Sequence, residues 1–228
     1  MARESVAARA ARAQEILAIL SRTYPHAHCE LDYKTPLELL IATILSAQCT
    51  DRRVNIVTKE LFRVCETAAD YVALPQEQIE EIIRTTGFFR AKAKNVKACC
   101  AAIVERHGGE VPRTMDELTK LAGVGRKTAN VVLGNAFGIN VGVVVDTHVQ
   151  RLSRRLGLIR TATPEKIEFE LMQLIPRGQW ALFSHWLIWH GRRRCAARKP
   201  DCENCELANL CPRVDVNATP SPRLSKRG

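Results

Sequence analysis

The feature that most constrains this chain is a run of four cysteines near its end, Cys195-x6-Cys202-x2-Cys205-x5-Cys211. Thiolates are soft ligands, and four of them in one short segment can close around a single metal centre and pin the intervening loops into a knuckle. Structural zinc usually takes two short-spaced ligand pairs. Here one C-x2-C pair is flanked by two longer, unequal arms, with no histidine between them. The spacing favours a [4Fe–4S] cluster with Cys195, Cys202, Cys205 and Cys211 as its ligands; zinc is the alternative. Arg198 and Lys199 lie between the ligands, and Arg192, Arg193 and Arg194 lie just upstream. The knuckle therefore displays positive charge, which suits an acidic partner.

Composition agrees with that charge. The 228 residues carry a formal net charge of +10, which suits a polyanionic partner, most simply nucleic acid; a merely soluble basic surface is the competing reading, and composition alone does not choose between them. An apolar content of 46% is that of a globular protein. No apolar run reaches the roughly 18 residues needed to span a bilayer, so no membrane role is expected. The other cysteines, Cys29, Cys49, Cys65, Cys99 and Cys100, are scattered through apolar sequence and read as reduced, buried thiols. The Ala- and Arg-rich start, residues 1–20, contains Glu4 and Glu15. It sets Ala10, Ala13, Leu17 and Leu20 on one face, so it reads as a first helix rather than a targeting peptide.

The pattern is helical almost throughout, and an all-α fold is expected. Thr35-Pro36-Leu37-Glu38 is a helix start, followed by Leu37, Leu40, Ile41, Ile44 and Leu45 at the spacing of a buried face. Thr114-Met115-Asp116-Glu117 predicts a second start, opening a short helix through Leu121. Thr163-Pro164 predicts a third, with Ile167, Leu171, Leu174 and Ile175 facing inward. Residues 180–189, rich in Trp, are apolar on nearly every side and predict a buried helix. Only residues 141–145 look strand-like. The tail, residues 213–228, is rich in Pro, Ser and basic residues and predicts disorder.

Three segments could carry chemistry. In Leu121-Ala122-Gly123-Val124-Gly125-Arg126-Lys127-Thr128 a capped helix runs into Gly-x-Gly and a second helix starts at once. Glycines let the backbone turn sharply and approach a phosphate, while unpaired N–H groups and the helix dipole favour the anion. A P-loop is excluded because Arg126 stands where its second glycine belongs. A dinucleotide fingerprint is excluded because the third glycine and the strand are missing. An ordinary helix–helix turn is the competing reading. In Val145-Asp146-Thr147-His148-Val149, Asp146 is either a helix cap or a working carboxylate. His148, His185 and His190 read as structural. In Ser46-Ala47-Gln48-Cys49-Thr50-Asp51, Gln48 continues the apolar face of the preceding helix. It either ends that helix or is a probe that enters a base stack.

Taken together, Leu-Ser-Ala-Gln-Cys-Thr-Asp (45–51), Gly-Phe-Phe-Arg-Ala-Lys-Ala (87–93), Ala-Gly-Val-Gly-Arg-Lys-Thr-Ala (122–129), Val-Asp-Thr-His-Val (145–149) and the four cysteines resemble the endonuclease III family of DNA glycosylases. The likeness spans about residues 10–212. It implies two helical domains with a DNA-binding groove between them. One is a six-helix domain with a helix-hairpin-helix, residues 29–139. The other is a discontinuous iron–sulfur cluster domain, residues 1–28 plus 140–212. The resemblance makes Lys127 the nucleophile and Asp146 the essential carboxylate. Gln48 resembles the residue that fills the hole left by an extruded nucleotide. Phe88 resembles the wedge in the opposite strand, a position that is commonly aliphatic. Gly123, Gly125, Arg126, Arg198 and Lys199 are expected to contact DNA. The hairpin commonly has Pro where this chain has Ala122.

The implied activity is base excision repair of DNA damage. A glycosidase step would remove oxidised pyrimidines such as thymine glycol, and a lyase step would cut the abasic site by β-elimination through a lysine Schiff base. Double-stranded DNA is the implied partner, and the enzyme is expected to be a monomer in the bacterial cytoplasm at the nucleoid, without a signal peptide. A nucleophilic amine must be uncharged, which partial burial, Arg126 and the helix start would favour. The cluster is expected to be structural. Two rivals are a glycosylase of the adenine-removing type, which lacks a lysine at position 127, and a non-enzymatic DNA-binding protein with a zinc knuckle.

Overall fold

The computed structural model describes residues 4–216, and every regular element among them is helical. The α-helices run in chain order as α1 (Val6–Thr23), α2 (Pro36–Leu45), α3 (Asp51–Val64), α4 (Ala68–Ala73), α5 (Gln76–Ile83), α6 (Phe89–His107), α7 (Met115–Leu118), α8 (Arg126–Ala136), α9 (Thr147–Arg155), α10 (Pro164–Met172) and α11 (Trp180–Arg193). Short 3₁₀ turns occupy Arg84–Thr86 and Arg177–Gln179. The segment with strand character, residues 141–145, forms no strand. It is an irregular link whose Val143, Val144 and Val145 are buried.

Local chemistry sets the helix starts. The Thr35 hydroxyl accepts the Glu38 N–H at 3.2 Å, Pro36 opens α2, and the Glu38 carboxylate accepts the Lys34 N–H. Thr114 caps α7 in the same way, at 3.3 Å from the Glu117 nitrogen. That helix stops at Leu118 rather than Leu121. The chain beyond it tightens into i→i+3 bonds, Lys120 N to Glu117 O and Leu121 N to Leu118 O, as it turns toward Gly123. Thr163 starts α10 without a side-chain cap bond, and Pro164 supplies the first-turn geometry.

The chain divides into two compact units. The larger comprises residues 26–144 and 176–185. Its centre is α2, buried from Leu37 to Leu45 except at Glu38, so that every face of the helix meets protein. Around its core stand Val54, Leu61, Tyr71, Ile79, Ile83, Val96, Ile103, Val132 and Leu133, all from α3 to α8. Each such side chain contributes roughly 1.5–3 kcal/mol on burial.

Among the described residues, the smaller unit comprises residues 4–25, 145–175 and 186–216. Here α1 buries Ala13, Ile16, Leu17 and Leu20, α9 buries Val149 and Leu152, and α10 buries Ile167 and Leu171. Arg12 donates to the Leu156 and Leu210 carbonyls at 2.6 and 3.1 Å, which fastens the end of α9 to the cysteine segment. Residues 213–216 do not follow the disorder expected of them. Val214 donates to the Arg155 carbonyl at 3.1 Å and Asp215 pairs with Arg154 at 2.6 Å, so residues 213–216 are folded onto the end of α9. The rest of the tail lies outside the described residues. The Trp-rich helix also departs from expectation: Phe183 and Leu187 are fully buried, but Leu182 is 43% exposed.

Candidate functional site

The glycine hairpin is built as its sequence suggests. Gly123 takes φ +75°, and a Cβ there would come within 3.0 Å of the Asn95 Cβ on α6, so both the turn and the close approach require glycine. Val124 is buried and pins the turn, donating to the Leu121 carbonyl at 3.2 Å. Gly125 is the N-cap of α8. It brings no side-chain cap, and no acidic residue stands in the first turn. The helix therefore presents its first N–H groups, Arg126 and Lys127 together, with no carboxylate in that turn to neutralise them. Lys127 is exposed to solvent, as are Gly123 and Gly125.

Two further candidates sit on the same unit in an unusual backbone conformation. Gln48 does not continue α2, which ends at Leu45. It leaves the helix with φ +54° and is exposed in the turn before α3. The face periodicity failed there because the Ser46 hydroxyl takes the Thr43 carbonyl at 2.8 Å and closes the helix early. Phe88 has φ +49° and is 68% exposed, just before α6. A non-glycine residue in the left-handed region is uncommon, and a large apolar ring in water there has no packing reason to be so placed.

Asp146 caps α9, its carboxylate accepting the Val149 N–H at 2.7 Å, and it is half-buried. One oxygen is thus committed to the helix. Two residues on, burial pushes the His148 imidazole below its usual range, with the Asp146 charge opposing and Arg151 adding to the shift. The Arg151 guanidinium lies 3.1 Å from His148 Nδ1. It also donates to the carbonyls of Gly191 (3.1 Å) and Cys195 (3.0 Å).

All four knuckle cysteines line one pocket within the smaller unit, together with Leu152, Arg155, His190 and Leu207. Their sulfurs meet polar groups. Arg155 Nη1 lies 3.2 Å from Cys195 Sγ, and His190 Nε2 lies 3.4 Å from Cys205 Sγ. The Leu207 N–H serves Cys205 and the Arg213 N–H serves Cys211. Burial is the main reason that Cys205 is pushed up to about 11, and neighbouring thiolates add to it. Four sulfurs gathered in one partly buried pocket fit a positively charged centre, which would offset both effects. Arg155 also holds the Ala196 and Ala197 carbonyls at 2.7 and 2.9 Å, and Arg194 pairs with Asp201 and Glu206. On this frame Arg198 and Lys199 are exposed, Lys199 with φ +51°.

Sequence reasoning missed Arg155 and His190. Arg155 sits at the end of the apolar face of α9, a buried arginine that periodicity alone would have flagged. His190 lies upstream of the cysteines, and no local signal ties it to Cys205. His185 is structural as expected: its Nε2 lies 2.6 Å from Asn135 Oδ1. Of the five scattered cysteines, Cys65, Cys99 and Cys100 are buried, whereas Cys29 and Cys49 are only partly covered. No helix among the described residues is long and apolar enough to cross a membrane.

Comparison with known proteins agrees with this geometry. Residues 41–177 match the family described as HhH-GPD superfamily base excision DNA repair protein. Endonuclease III of Synechocystis is 57% identical over 93% of this chain and 97% of its own length. Endonuclease III of Escherichia coli K12 is 42% identical over 88% and 95%. A solved non-covalent endonuclease III–DNA complex superposes with a TM-score of 0.86 at 46% identity, covering 90% of this chain and 95% of that one. A trapped covalent endonuclease III–DNA intermediate gives 0.83 at 47% identity, over 88% and 96%. The chain belongs to the endonuclease III family of helix-hairpin-helix base excision DNA repair proteins.

Proposed function

We propose that this chain excises damaged pyrimidines from double-stranded DNA and cleaves the resulting abasic site, with Lys127 as nucleophile and Asp146 as the essential carboxylate. The observation that carries the assignment is the position of Lys127: an exposed amine in the first turn of α8, directly behind the hairpin of Gly123 and Gly125. The hairpin N–H groups and Arg126 take the DNA backbone. The damaged nucleotide leaves the stack, at a cost of a few kcal/mol that is smaller for a poorly stacked lesion. Gln48 fills the gap and Phe88 wedges the opposite strand. Their exposed, left-handed placement supports both roles.

The Lys127 amine then forms a bond to C1′ as the base departs with its electron pair. The amine loses its proton, the C1′–O4′ bond breaks with O4′ leaving as a hydroxyl, and C1′ becomes an iminium that acidifies C2′; loss of a C2′ proton then expels the 3′ phosphate, which is β-elimination. Asp146 stands half-buried with one oxygen on the Val149 N–H, leaving the other to stabilise positive charge on the sugar or to move a proton. Borohydride trapping on DNA with an oxidised pyrimidine tests this. A covalent adduct in the wild type and none in Lys127→Ala is expected; an adduct that survives Lys127→Ala would exclude Lys127.

For the metal centre we infer a [4Fe–4S] cluster held by Cys195, Cys202, Cys205 and Cys211. The unequal ligand spacing, the common pocket and the N–H donors on the sulfurs support it. Its contribution is to hold the loop that presents Arg198 and Lys199 to phosphates. A brown protein with about four iron atoms per chain is expected; a colourless zinc protein would refute the cluster. We place the enzyme in the bacterial cytoplasm, at the nucleoid.

A further inference from the structure

Lys92 is buried to all but 5% of its surface, yet the excision chemistry makes no use of it. It lies one turn into α6, and its Nζ donates to the carbonyl of Thr86 at 2.8 Å. Thr86 is the last residue of the Arg84–Thr86 turn, itself buried, with its hydroxyl on the Ile83 carbonyl at 2.8 Å. Between Thr86 and α6 stand only Gly87, at φ +71°, and Phe88, at φ +49°. Lys92 thus ties the two ends of a two-residue, left-handed corner together. Its backbone N–H meets the Phe88 carbonyl at 3.0 Å and its side-chain ammonium meets the carbonyl before the corner.

That corner needs a fastening. Phe88 is the N-cap of α6 but makes no side-chain cap bond, and its ring has no burial to offset a left-handed backbone. Such strain persists only where the surroundings over-determine it. A buried ammonium is itself costly to desolvate, so its place here is not explained by packing; a leucine or methionine would fill the space. Burial lowers the Lys92 pKa, and the neighbouring Cys49, one residue from Gln48, opposes that shift. The same helix abuts the hairpin, with Asn95 against Gly123.

We propose that Lys92 is a positioning residue for the opposite-strand wedge: it locks the Thr86–Phe88 corner so that the Phe88 ring is held out, ready to stack into DNA. The idea rests on the wedge role of Phe88. Lys92 itself is too buried to touch substrate.

The test is a double-mutant cycle in the full-length protein, with Lys92→Met, Phe88→Ala and the pair. The substrate is a duplex carrying an abasic site opposite a fluorescent adenine analogue. Lys92→Met should keep wild-type helicity and iron content. It should lower kcat/KM for strand cleavage about tenfold, mostly through KM, as expected for loss of one charge-assisted bond. It should also lose the fluorescence change that reports stacking. In the Phe88→Ala background the same substitution should cost less than about twofold, because the two act as a unit. Equal losses in both backgrounds, or wild-type behaviour of Lys92→Met, would overturn the role of Lys92. A Phe88→Ala enzyme with undiminished activity would remove the wedge and this inference with it. If Lys92→Met does not fold, Lys92→Arg, which keeps the charge but misplaces the donor, should show a smaller loss with the same dependence on Phe88. A loss independent of Phe88 counts against it.

Discussion

At the scale of single residues, Asp146 shows how a structural role and a chemical one can share a side chain. It caps α9, and Asn caps about as well as Asp. Asp146→Asn should therefore leave the melting temperature unchanged. If the carboxylate works on the sugar, excision should fall by at least about a hundredfold. An active, stable Asp146→Asn enzyme would reduce Asp146 to a cap. A second residue-scale prediction concerns His185, whose pKa burial pushes down to about 4. The folded state binds this proton less well than the unfolded chain does. His185 therefore contributes stability above the unfolded value near 6.5, and that contribution is lost as pH falls toward 4. Between pH 7 and pH 5 the loss is on the order of 2 kcal/mol. Replacing His185 with Gln, which can still donate toward Asn135, should flatten the dependence of the melting temperature over that range. An unchanged slope would assign the acid sensitivity to other groups.

At the scale of elements, the hairpin before α8 and the loop after α11 use opposite devices. The hairpin depends on the absence of a side chain. Gly123→Ala adds left-handed strain and a Cβ 3.0 Å from Asn95, and should cost roughly 1–2 kcal/mol of stability. It should also weaken DNA binding by displacing the N–H groups of α8, measurable by fluorescence anisotropy on an abasic duplex. The cysteine loop depends on a side chain brought from elsewhere. Arg155 holds Cys195, Ala196 and Ala197 from the end of α9. Arg155→Met should speed iron loss in air several-fold while leaving the larger unit folded. Equal iron retention would show that the ligands alone fix the loop.

At the scale of the whole molecule, the net charge of +10 makes association with DNA salt-dependent. Replacing Arg198 and Lys199 with Ala should reduce the slope of log K against log salt by about 2 if each neutralises one phosphate. An unchanged slope would take both residues off the DNA. The larger unit is built around a helix buried on nearly every face, and its stability should outlast the metal. The smaller unit draws its segments from three stretches of chain and leans on the cysteine segment through Arg12 and Arg155. Removing iron should therefore lower helicity only in part.

The sequence by itself determined the helical class, the helix starts at Thr35 and Thr114, the hairpin at Gly123 and the grouping of the four cysteines that line one pocket. Each of these follows from the chemistry of neighbouring residues or from a short fixed spacing. Only the tertiary structure decided where α2 ends, that Gln48 and Phe88 are left-handed and exposed, and that residues 213–216 fold back onto α9. It alone showed that His190 and Arg155 reach the cysteine sulfurs and that Lys92 closes the Phe88 corner. These facts depend on groups far apart in the chain, or on one hydroxyl competing with a helix for its last carbonyl. Apolar periodicity registers that a face is buried, but not which distant polar atom it meets.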